Sequence, residues 1–185
     1  MPSDRYIPKG AASLQITADG PAREFYFLLL PKLTMLAFSS AIEPLRIANQ
    51  LAQKQLYTWY AITPDGQGAT CSNGVTIQSD GAMGQISKEA SVFVCSGIDP
   101  VHAASKEVLG WIRQQDRQGT QLAGICTGAF ALAQAGVIRD RRFTLHWENQ
   151  PAFVETFPDL VPTENLYEND GRLITCSGGN AATDM

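Results

Sequence analysis

Three short apolar runs limit what this chain can become: FYFLLL at 25–30, SVFVCSG at 91–97 and QLAGIC at 121–126. Each is shorter than an ordinary helix, and none alternates polar with apolar residues as a strand with one wet face does. Such runs suit strands covered on both sides, the condition of a parallel sheet held between helices. YTWYAIT at 57–63 adds a further strand, rich in aromatic and β-branched residues and closed by the turn signal Pro64-Asp65-Gly66.

Helical patterns separate these runs. Residues 40–53 are predicted helical: Ser40 and Glu43 have capping-box spacing, Ala41, Leu45, Ala48 and Ala52 form a stripe, and Pro44 falls near the first turn. A second helix carries Ala104, Val108, Trp111 and Ile112 on one face, and a small-residue helix spans 128–136. RFTLHW at 142–147 reads as a strand leading into a helix at 152–157. The segment 71–79, with Asn73-Gly74, fits a small antiparallel excursion. The pair 165–168 and 172–176, turning at Asn169-Asp170-Gly171, reads as two closing strands. Alternating strand and helix signals predict a doubly wound α/β sandwich with a mostly parallel sheet.

Residues 1–22, with Pro2, Pro8, Gly10, Gly20 and Pro21, read as an extended or partly disordered leader, and one domain is expected over 23–185. GGNAATDM at the end reads as a loop and the first turn of a helix left unfinished at Asp184 and Met185, so a C-terminally truncated domain is expected.

Charge and composition narrow the function. The longest apolar run, 25–31, is far below the roughly 20 residues that cross a bilayer, and the N-terminus lacks a secretory apolar core, so a cytoplasmic protein without membrane contact is expected. The net charge of −4, with basic residues scattered along the chain, offers no footprint for nucleic acid, so this chain alone is not expected to hold DNA. Cys71, Cys95, Cys126 and Cys176 show no metal-ligand spacing. No metal and no cofactor are expected.

The segment Ala123-Gly124-Ile125-Cys126-Thr127-Gly128-Ala129 delivers a cysteine from a buried strand, between glycines, into a helix. That is a nucleophile elbow with cysteine in place of serine. The helix start favours thiolate and predicts a lowered thiol pKa at Cys126. His146, at the end of the following strand, is placed to converge on it, whereas His102, after Asp99-Pro100, has no such partner and reads as structural. Gly97 ends another strand at the same sheet edge, where backbone amides offer an anion or oxyanion site. Glu43 either caps its helix or faces the pocket, and Trp147 offers an aromatic face to a cationic ligand. The expected ligand-binding set is Cys126, Thr127, Gly97, Ile98, His146, Trp147 and Glu43.

The ordered motifs LLLPKLTMLAFSSAIEPLRIAN (28–49), SNGVTI (72–77), FVCSGID (93–99), GICTGAFALAQAGVI (124–138), TLHWEN (144–149) and the closing CSGGNAATDM resemble the N-terminal sensor domain of AraC-type transcription regulators of the class I glutamine amidotransferase-like (ThiJ/PfpI) kind. The resemblance implies a flavodoxin-like fold, a homodimer, a small-molecule effector, and DNA contact only through a C-terminal helix-turn-helix region absent here. EPLRIANQL and the following LYTW resemble the regulators of amino-acid and quaternary-amine catabolism, including glycine betaine, carnitine and arginine responders. Catalytic relatives bring an acidic side chain to the cysteine, about where Ala37 stands in this chain. A non-catalytic sensor is therefore expected. The alternatives are a thiol enzyme of hydratase, amidase or glyoxalase type, with Cys126, His146 and Glu148 as a triad, and a redox sensor oxidised at Cys126.

Overall fold

The computed structural model describes residues 14, 16 and 20–185, so most of the leader lies outside the described residues. β1 (Arg23–Leu29) enters the core, and α1 (Met35–Ala52) returns the chain so that β2 (Tyr57–Thr63) pairs with β1 in parallel. β3 (Ala69–Thr70) and β4 (Thr76–Ile77) form the small antiparallel excursion around Asn73-Gly74. The two-residue β5 (Gly81–Ala82), too short to leave a period in the sequence, pairs with the outer edge of β2. There follow β6 (Ser91–Cys95), α2 (Lys106–Gln118), β7 (Gln121–Ile125), α3 (Ala129–Gln134), α4 (Gln150–Thr156), β8 (Tyr167–Asp170) and β9 (Leu173–Cys176).

The main sheet runs β5-β2-β1-β6-β7-β9-β8, parallel except for the β8–β9 pair. This is the predicted doubly wound sandwich. Strand β1 shows why its run is apolar throughout. Phe27 and Leu29 face the layer built with α1, Leu28 and Leu30 face the layer built with α2, α3 and α4, and all four are buried. Each such side chain contributes about 1.5–3 kcal/mol on leaving water. The order reverses between β1 and β6, which makes the carboxyl edge of the sheet the natural place for a site. At that edge Leu29, Cys95, Ile125 and Cys176 stand in register across four strands.

Two expectations are corrected. α1 begins at Met35, not near Ser40, so Ser40 and Glu43 lie inside the helix and form no capping box. Pro44 sits mid-helix, where its ring removes the bond to the Ser40 carbonyl. The predicted strand at 142–147 pairs in no ladder: residues 142–146 have no regular structure and Trp147 opens a 3-10 turn. The sheet position beside β7 is taken by β9, and the passing segment is tied by other bonds: Thr144 N–H donates to Thr175 Oγ1 at 2.8 Å, and Thr163 N–H donates to the Phe143 carbonyl at 2.8 Å. The chain ends in a 3-10 turn, Gly179–Thr183, packed on α1.

Asn49, fully buried, fastens the end of α1 to β2. Its Nδ2 donates to the Tyr57 carbonyl at 2.8 Å, and its Oδ1 accepts from Leu56 and Tyr57 N–H at 2.8 and 2.9 Å. Asn49→Ala leaves those backbone groups without that partner, and about 3 kcal/mol of stability is expected to be lost. Urea unfolding measures this; a loss below about 1 kcal/mol is the contrary result.

Candidate functional site

The elbow is a backbone fact before it is a chemical one. Cys126 has φ 60, in the left-handed region that non-glycine residues rarely enter. Two hydrogen bonds hold it there. Its N–H donates to the Cys176 carbonyl at 3.2 Å, continuing the β7–β9 pairing, and its carbonyl accepts from His146 N–H at 3.1 Å. Tightness does the rest. A Cβ on Gly128 would stand 2.1 Å from the Val94 carbonyl oxygen, so only glycine lets the turn lie on β6.

The Cys126 side chain points into the α1 layer and is 5% exposed. Thr34 Oγ1 lies 3.5 Å from its Sγ. Gly178, at φ 82, covers the other side; a Cβ there would come 2.6 Å from Cys126 Cβ and 2.9 Å from Sγ. Thr127 turns the other way and its hydroxyl donates to the Gly97 carbonyl at 2.7 Å, locking the elbow to the loop after β6. That loop is held in turn by Lys32, whose carbonyl accepts Ile98 N–H at 3.1 Å.

Cys126, Thr127, Gly97, Ile98, His146 and Trp147 are thus gathered at one sheet edge, with Ile98 and Trp147 exposed. His146 presents a ring that stacks on Trp147 at 5.8 Å and 28°, and its Nδ1 is buried without a hydrogen-bond partner among the described residues. Glu43 does not join them. It is exposed on α1 and pairs with Arg46 at 2.7 Å, about 13 Å along the helix from Thr34. Glu148 is exposed in the 3-10 turn Trp147–Asn149 and forms no bond with His146, so the written triad is not assembled.

Further expectations change here. Burial pushes the Cys126 thiol up from its ordinary value, outweighing the lowering contributed by the Thr34 hydroxyl and the Thr127 N–H. The lowered pKa expected from the helix start is not obtained, because desolvation of the buried thiolate is the largest contribution. The Ile98 amide, already bonded to Lys32, is not free for an oxyanion. His102 is away from the elbow in a local pair, its Nδ1 2.8 Å from Asp99 Oδ1, which holds the Asp99 carboxyl below its usual range. All four cysteines are free thiols and lie in the α1 layer. No metal-binding cluster occurs among the described residues, and no described helix is long and apolar enough to cross a membrane.

Sequence reasoning did not single out Thr34, Cys176 or Gly178. Thr34 before an apolar helical run carries the ordinary signal of a helix cap, and Cys176 and Gly178 reach the elbow only through the β7–β9 pairing.

Residues 38–185 match the model of the DJ-1/PfpI family. The chain belongs to that family. It is 43% identical over 164 residues to the HTH-type transcriptional regulator CdhR of Pseudomonas aeruginosa, covering 89% of this chain and 48% of the relative. Identity is 36% over 159 residues to GbdR, another HTH-type regulator of that species, covering 86% and 43%. An isonitrile hydratase of Pseudomonas putida is 26% identical over 173 residues, covering 89% and 69%. The chain spans about half the length of the two regulators. Among solved structures, an AraC family transcriptional regulator from Pseudomonas putida superposes with a TM-score of 0.74 at 22% identity, covering 88% and 87%, which supports the fold.

Two measurements follow. Gly178→Ala forces a Cβ onto Cys126 at a left-handed position and is expected to cost about 3 kcal/mol in urea unfolding; a neutral result would mean that Gly178 does not cover the thiol. Cys95, Cys126 and Cys176 are all held above the ordinary thiol value of 9.0 by burial. The folded state therefore keeps protons that the unfolded chain releases, and stability is expected to fall as pH rises through about 9 and beyond. A urea midpoint that holds steady or rises between pH 8 and 10.5 would contradict this.

Proposed function

We propose that this chain is the effector-sensing part of an AraC-type transcription regulator. A small polar metabolite, an amino acid or a quaternary amine such as glycine betaine, carnitine or arginine, binds at the elbow edge. Cys126, Thr127, Gly97 and Ile98 form one side and His146 with Trp147 the other. The observation that carries this reading is the buried, unpartnered Nδ1 of His146 beside the elbow. An orphaned buried nitrogen costs about 1–3 kcal/mol, which a ligand's hydrogen bond would recover. The exposed indole of Trp147 supplies a face for a cation.

The likeness to two HTH-type regulators supports the regulatory role. In the full-length protein, a homodimer in the cytoplasm, DNA contact belongs to a helix-turn-helix region following this domain. Effector binding shifts the balance between two states of the whole molecule by its differential affinity for them.

The thiol-enzyme reading draws on the likeness to isonitrile hydratase. Against it stand a Cys126 thiol whose side-chain partner is the neutral Thr34, a buried Ala37 where the resemblance places an acid, and a Glu148 that does not reach His146. A general acid–base partner is commonly worth about 10²–10⁴-fold in rate. Oxidation sensing is likewise disfavoured by burial of the thiol.

Isothermal titration with glycine betaine, carnitine and arginine tests the sensor. Saturable binding of one of them is expected, with Trp147→Ala weakening it about 3–30-fold. No heat with any of the three would sink the amine assignment, and turnover of an isonitrile would favour the enzyme.

A further inference from the structure

The sheet face that carries Leu28 and Leu30 is not covered evenly. Towards the β2–β5 edge its cover passes from α2 to the segment 83–90, whose Met83 and Ile86 pack on that layer. Trp111 fixes this segment by donating its indole N–H to the Gly84 carbonyl at 2.8 Å. Beneath it lies a recess of about 360 Å³, floored by Tyr26, Tyr60 and Ile62 and rimmed by Asp80, Gly81 and Gly84. That volume is in the range of small-molecule sites.

Two glycines keep the recess open. Gly81 pairs with Ile62 in parallel, so a side chain there would stand on the same face as Ile62. A Cβ on Gly81 or Gly84 would meet nothing within 4 Å, and neither glycine has a left-handed φ. The backbone at these positions does not demand glycine; the open space beside them does the explaining.

The chemistry of the lining points one way. Tyr26 stands opposite Tyr60 across β1 and β2, and the two half-buried rings stack at 4.9 Å and 29°. Strand order β5-β2-β1 puts Tyr26 on one side of Tyr60 and Gly81 towards the other, where the ring face is open. Burial, with the Glu24 carboxylate beside the hydroxyl, pushes Tyr26 up to about 12, so the phenol stays neutral near pH 7. Asp80 is fixed at the rim: its N–H donates to the Ala61 carbonyl at 2.7 Å, and its Oδ2 accepts from Ala61 N–H at 2.8 Å. Among the described residues that line the recess, none is basic. Aromatic faces beside a carboxylate attract a cation. A guanidinium suits them best, because it is planar and carries several N–H donors in that plane.

We propose that this recess binds a small guanidinium compound, with the cation flat against the open face of Tyr60 and its N–H groups donating to the Asp80 carboxylate. The site does not depend on the elbow. β7, which delivers Cys126, is three strands away from β2, about 14 Å.

Methylguanidinium is titrated into the isotope-labelled whole chain and followed by NMR, with methylurea, its neutral counterpart of similar shape, as the control. Saturable shifts of the Gly81 and Gly84 amides are expected with methylguanidinium and none with methylurea. Asp80→Asn keeps an acceptor for Ala61 N–H and is expected to weaken binding about ten-fold. Gly81→Leu fills the recess without removing a contact and is expected to abolish binding, whereas Trp147→Ala leaves it unchanged. Equal binding of methylurea overturns the site, as does a folded Gly81→Leu variant that binds as before. Should Asp80→Asn fail to fold, Gly81→Leu decides. Shifts confined to His146 and Trp147, and lost in Trp147→Ala, overturn the recess while supporting the elbow as the cation site. No saturable shift at any amide overturns the recess alone, since the elbow is tested with other ligands.

Discussion

The arrangement at the site depends on one residue forced into a left-handed turn. Cys126 at φ 60 is held by β9 on one side and by the His146 amide on the other, and glycines stand where a Cβ would collide. A left-handed non-glycine residue costs roughly 1–2 kcal/mol, which surrounding packing must offset. Here the offset comes from a sheet that is fully buried at its centre. Because the turn is fixed by the fold, the thiol's position does not depend on whether it performs chemistry.

What the thiol does is decided by its neighbours. The short helix α3 lies ahead of it, and an exposed cysteine there would lean toward thiolate. The side chain instead turns into an apolar layer shared with Phe27, Leu33, Ala37 and the other cysteines. Between a partial charge at a helix end and the loss of water around an anion, the second is larger. The result is a neutral group held by a neutral hydroxyl.

The fold was legible in the sequence because burial on both faces leaves an unmistakable trace: FYFLLL, SVFVCSG and QLAGIC each became a central strand. The elbow was legible for the same reason, since G-x-C-x-G has few other physical uses. What escaped was set by partners distant in sequence. RFTLHW carries strand-like composition, but β9 occupies the neighbouring sheet position. Ser40 and Glu43 have capping spacing, but the helix had already begun at Met35. The pull between helix end and burial on Cys126 depends on which way its side chain turns, and the backbone that covers it there, at Gly178, comes 52 residues later in the chain.

Trp147 leaves a practical consequence. Trp59 is 6% exposed in the α1 layer, and Trp111 donates its indole N–H to the Gly84 carbonyl at 2.8 Å, but Trp147 is 72% exposed beside the elbow. An indole in water emits further to the red than one in an apolar core, so the red edge of this protein's fluorescence belongs chiefly to Trp147. Whatever settles against that ring announces itself as a change of colour, without any label being attached.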